Sequence, residues 1–109
     1  VIIYRLAKAT GIRDTPDTGT EWAEGQHPYP QDDGIPHFTT EHICGTATIE
    51  QFFQWWHDMP KLVTALYNGH CIYKVHIAPT DVLVGRNQVM FRPEDVLAVE
   101  KWYLQGVEA

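Results

Sequence analysis

Residues 9–36 separate a readable first strand from a readable first helix, and they hold four of the chain's seven prolines and four of its eight glycines. Aliphatic side chains are scarce there. Asp14-Thr15-Pro16-Asp17-Thr18-Gly19 and Asp32-Asp33-Gly34 read as turns. Asp bonds to nearby backbone amides, Pro presets φ and Gly accepts positive φ. A segment this long without secondary structure is uncommon inside a compact domain, and is either a functional loop or a mobile one, of which its side chains favour the functional. Trp22, His27 and Tyr29 give it side chains able to dock on a ligand.

The whole chain, 1–109, reads as one domain with that loop inside it. Its composition is 44% apolar and 20% charged, near the average of soluble globular proteins. A chain of this size buries about two-thirds of its unfolded surface. No apolar run nears the roughly 18 residues of a membrane span, and no signal-peptide pattern opens the chain, so no membrane partner is expected. Cys44 and Cys71 are too few for a disulfide framework and fit a reducing, cytoplasmic setting. Eight basic against fourteen acidic residues leave a net charge of −6. That disfavours nucleic acid, whose phosphates attract cations, and permits a basic protein partner.

Periodicity supplies the elements. Val1–Lys8 is rich in β-branched and aromatic residues and reads as a strand. Thr48 and Gln51 form a capping-box pair, and Ile49, Phe52, Phe53 and Trp56 follow at helical spacing. Pro60 stops that helix near Met59. A second helix, about Lys61 to Tyr67, buries Leu62, Val63 and Leu66 and ends at Asn68-Gly69. From Cys71 to Ala78 the chain alternates, as a half-buried strand does. Val82-Leu83-Val84 and Gln88-Val89-Met90-Phe91 flank a tight bend at Gly85-Arg86-Asn87. Val96 to Leu104 alternates again. The expected fold is α+β, with one or two helices on a mostly antiparallel sheet.

Little here carries chemistry by motif alone. His27, His37, His42 and Cys44 fall close together, but H-x9-H-x4-H-x-C fits no zinc template, and no metal is expected. Cys44 reads as a small buried hydrophobe rather than a nucleophile, since a reactive thiol needs an electropositive setting and Glu41 is near. The absence of serine excludes a serine nucleophile. No glycine spacing makes a phosphate loop, and Asp14, Asp17, Asp32 and Asp33 read as solvated turn carboxylates. Trp55 and Trp56 point about 100° apart on a helix. Trp56 joins the apolar stripe, which leaves Trp55 at its edge or in solvent, where a tryptophan anchors protein interfaces.

Two resemblances add to this. Tyr4-Arg5 at the end of the first strand, with Arg86-Asn87-Gln88-Val89-Met90-Phe91 and Pro93 far downstream, resembles the ADP-ribosyltransferase pattern. In that family an early strand offers an Arg or His to NAD, a middle strand offers a small hydroxyl motif, and a late strand offers a Glu that grips the ribose. The resemblance implies that Arg5 binds the pyrophosphate, that Phe38-Thr39-Thr40 fills the middle position, and that Gln88 stands in the catalytic place. Trp22, Tyr29 or Phe38 would stack on a ring of the nucleotide. Gln88 keeps a hydrogen bond but lacks the charge that stabilises an oxocarbenium, so transfer would be weak or absent. The run from Asp33-Gly34-Ile35 through Glu41-His42-Ile43-Cys44-Gly45 to Ile49–Trp56, then Gly69 and Gln88–Phe91, is similar to small bacteriophage and prophage proteins. That implies a phage accessory protein acting in the host cytoplasm. The expected function is a phage-type domain binding NAD or a related nucleotide between Arg5, the 22–42 loop and Gln88. The alternative is a non-enzymatic inhibitor that docks a basic host protein, such as a bacterial defence component, through Trp22 or Trp55.

Overall fold

Strand-forming residues meet the backbone of the rest of the chain early: Ile2–Lys8 forms β1, which pairs antiparallel with β3 (His70–Ile77) along its whole length. The computed structural model describes residues 1–14, 30–35 and 37–102. Between these strands come β2 (Ile43–Gly45), α1 (Ile49–Trp55) and α2 (Met59–Tyr67). After β3 come β4 (Val82–Val84), β5 (Val89–Phe91) and β6 (Val96–Lys101), with 3-10 turns at Pro79–Asp81 and Pro93–Asp95. The two helices and two small antiparallel sheets make the expected α+β fold. Among the described residues no helix is long and apolar enough to cross a membrane.

One sheet has the order β1-β3-β6 and the other β2-β5-β4. A single bridge joins them. Tyr4 and Thr46 exchange backbone hydrogen bonds of 2.9 and 2.8 Å, which sets β2 beside β1. Gly45 makes this approach possible. A Cβ there would come within 2.5 Å of the Ile3 Cγ2 and 2.8 Å of the Tyr4 carbonyl oxygen.

Side-chain alternation in β1 and β3 feeds two cores. Ile3, Ala7, Cys71, Tyr73, Val75 and Ile77 pack with Val89 and Phe91 of β5 on one side. Leu6 and Ile72 pack under the helices with Phe52, Leu62 and Leu66 on the other. β3 was expected to be half-buried. Instead its first four residues are buried on both faces, because the helices cover the second one.

The helix starts follow their caps. The Thr48 hydroxyl accepts from the Gln51 amide at 3.0 Å, while Gln51 Oε1 accepts from the Ala47 amide rather than closing the box on Thr48. α2 begins at Met59, earlier than expected. Asp58 caps it, accepting from the Lys61 amide at 3.2 Å. Pro60 sits in the first turn, where its missing N–H is no loss. It opens this helix, and α1 ends sooner, at Trp55. Val63, expected inside, is exposed.

β6 is the outer strand of its sheet and carries an irregularity. Ala98 faces His76 and Val96 faces Ile77, so Leu97 is an extra residue, a β-bulge. At the other end Trp102 packs edge-on against Tyr4, with ring centroids 5.7 Å apart, and the Lys74 ammonium lies 5.0 Å from its ring centre. Tyr103, part of the expected last strand, lies outside the described residues.

Candidate functional site

Arg5 occupies the middle of β1, opposite Tyr73, and is 6% exposed. A guanidinium taken from water needs partners for its donors. Nε donates to the Ile12 carbonyl and Nη1 to the Cys44 carbonyl, both at 2.7 Å, with the Cys44 sulfur 3.9 Å from Nη1. The side chain thus ties the turn after β1 and the strand β2 to β1. Burial pushes its pKa down from the ordinary guanidinium value, and Cys44 acts the other way. The group stays charged. Among the described residues no partner takes a bond from Nη2.

Gln88 directly precedes β5 and is 2% exposed. Its neighbourhood is built by a carboxylate that the sequence reading placed in solvent. Asp33 is 1% exposed. Its Oδ2 accepts from the amides of Asn87 and Gln88 at 2.8 and 3.0 Å, and its Oδ1 accepts from the Asn87 side chain at 2.7 Å. The Asp33 carbonyl takes the Arg86 amide, and the Asp32 carbonyl takes the Arg86 guanidinium. The end of the proline- and glycine-rich segment is therefore locked onto the β4–β5 turn. Gly85 gives it room, since a Cβ there would lie 2.6 Å from Asp33 Oδ2.

The expected middle-strand motif lies elsewhere. Phe38-Thr39-Thr40 is not a strand but the approach to a turn. The Thr39 carbonyl accepts from the His42 amide, its hydroxyl accepts from the Glu41 amide, and its own amide donates to His42 Nδ1 at 3.0 Å. The strand between β1 and β5 is Ile43–Gly45, followed by buried Thr46, whose hydroxyl donates to the Thr48 carbonyl at 3.2 Å. Three residues without alternation gave no period to read. Trp22 and Tyr29 lie outside the described residues, and Trp55 is half-buried. Cys44 is half-buried and Cys71 fully so, and burial pushes the Cys71 thiol up.

Where β2 begins, a cleft of about 400 Å³ opens, lined by Arg13, Thr40, Glu41, Ile43, Arg92, Pro93 and Glu94. Its volume falls in the small-molecule range, about 300–1,000 Å³. Arg92 pairs with Asp95 at 3.0 Å and Glu94 at 3.4 Å, and these carboxylates, Asp95 first, hold its pKa up. Arg13 follows Ile12, and Ile43 precedes Cys44, the two residues whose carbonyls hold Arg5. Neither Arg5 nor Gln88 lines this cleft. Three separate segments build it, around residues 13, 40–43 and 92–94, so no sequence pattern could have announced it.

The sequence profile of the family described as Bacteriophage T4 Y00F protein matches residues 1–105. The chain belongs to that family. No curated protein and no solved structure matches it. A phage protein was expected from the run through Gly34-Ile35, Cys44-Gly45 and Phe52–Trp56, and membership of this family makes it one. In a Y00F family protein the described site has two levels, a buried guanidinium on β1 and an open charged cleft beside the start of β2.

Proposed function

We propose that this phage protein is an ADP-ribosyltransferase-like domain that binds NAD or a related nucleotide, with transferase activity weak or absent. One observation carries the reading. A charged guanidinium, Arg5, is more than nine-tenths buried on a strand that adjoins β2, held by two backbone carbonyls and by no carboxylate among the described residues. A buried cation favours an anionic partner, and a pyrophosphate oxygen suits a guanidinium arm. The lateral order β5, β2, β1 supports the same reading. It sets the strands of Gln88, Thr46 and Arg5 side by side, the order of parts that the resemblance implies. Thr46 takes the middle place first given to Thr39. Stacking on the nucleotide falls to Phe38, Trp22 and Tyr29. Gln88 would orient a ribose without supplying negative charge, so binding outlasts catalysis.

Thermal unfolding with millimolar NAD tests binding, and labelled NAD with host extract tests transfer. A ligand at 100-fold over its Kd stabilises the native state by about 2.7 kcal/mol. Arg5→Lys, which keeps the charge and loses the fork, should abolish the shift. No shift and no label would remove both binding and transfer.

A second reading is favoured by α2. Met59, Val63 and Tyr67 recur every four residues and all face solvent, Tyr67 at 70% exposure. Such a stripe suits a non-enzymatic inhibitor that docks a basic host protein. A stoichiometric basic partner, bound less tightly by Tyr67→Ala and at high salt, would support it over the nucleotide reading.

A further inference from the structure

The cleft beside β2 has chemistry of its own. Arg92 is committed to Asp95 and Glu94. Arg13, Thr40 and Glu41 make no side-chain hydrogen bond or ion pair among the described residues. Glu41 is near enough to Arg92 to raise its pKa. One uncommitted guanidinium, one hydroxyl and one carboxylate therefore face the same space, with Ile43 and Pro93 as apolar walls.

We propose that this cleft seats a ribose phosphate, the shared unit of NAD and related nucleotides. A guanidinium takes two phosphate oxygens at once, which is the part of Arg13. A carboxylate accepts from both hydroxyls of a ribose diol, which is the part of Glu41, with the Thr40 hydroxyl beside it. Ile43 and Pro93 give the sugar and base an apolar seat. Free phosphate would use Arg13 and be repelled by Glu41. An amino-acid zwitterion would place its ammonium on Glu41 and its carboxylate on Arg13, and glycine is the probe that separates it from a ribose phosphate. This site rests on the nucleotide reading and says where the ligand enters.

Calorimetric titration of the full chain with NAD, ribose 5-phosphate, inorganic phosphate and glycine tests it. Ribose 5-phosphate should compete with NAD. Arg13→Ala should weaken both by about tenfold or more, the usual loss of a charge-assisted pair. Glu41→Ala should weaken ribose 5-phosphate by a similar factor and leave inorganic phosphate unchanged or tighter. Both residues are exposed, and an unchanged Tm for each variant excludes misfolding. NAD binding untouched by both substitutions would overturn the cleft and leave the nucleotide reading standing. Displacement of NAD by glycine would overturn the ligand class. No NAD binding to the unaltered protein would end the nucleotide reading, and the cleft proposal with it.

Discussion

The two sheets are held by different physics. β1 and β3 are long and bury apolar side chains on both faces. β2, β4 and β5 have three residues each, and their turn is fixed by a buried carboxylate bonded to backbone amides. Area removed from water stabilises the first, at roughly 25 cal/mol per Å². The second buries Val89–Phe91 in the same core and adds, at its turn, a few directional bonds, each strong only while water is kept out. The candidate groups lie where the two regimes meet: Arg5 reaches from the first sheet to the second, and the cleft opens where β2 starts.

The comparison can be broken most severely at Phe52. Phe52→Ala should cost about 3–5 kcal/mol, measured as a lower urea midpoint, and should lower protection from hydrogen exchange throughout β1 and β3. Next comes Asp33→Ala, which leaves the Asn87 amide and the buried Gln88 amide without their carboxylate acceptor and should cost about 2–3 kcal/mol. Its signature sharpens the contrast: amides of β4 and β5 should exchange faster while those of β1 and β3 keep their protection. If all amides loosened together, the two sheets would be one cooperative unit. Gly45→Ala should cost about 2 kcal/mol through crowding against Ile3 and Tyr4, and should weaken the Tyr4–Thr46 bridge, visible as exchange at those two amides. The smallest effect belongs to Thr48→Ala, about 1 kcal/mol for the lost α1 cap. It should leave the second sheet's exchange unchanged.

The sequence was most legible where one period ran long enough. β3, the pair β4 and β5, and the Thr48 start of α1 lie within a residue or so of their expected places. β2 escaped notice because three residues show no alternation. α2 starts early because a proline suits a helix entrance as well as an exit, and only the Asp58 cap decides which. Asp33 looked like a solvated turn residue. Its burial depends on Gly85, some fifty positions away along the chain, having no side chain to exclude it. Arg5 was picked out by type and place, but its embrace by two carbonyls is a tertiary event. The cleft was invisible, since its walls converge only in three dimensions.

Leu97 has a consequence for crowds of this molecule rather than for any one of them. At high concentration copies collide constantly, and an unbroken outermost ribbon would let a neighbour zip on, amide by amide, toward a growing fibre. The surplus residue throws that ribbon out of step between Val96 and Ala98, so an incoming copy finds no continuous template. The exposed apolar side chains of that rim, Leu97 and Val99, therefore sit beside a broken edge.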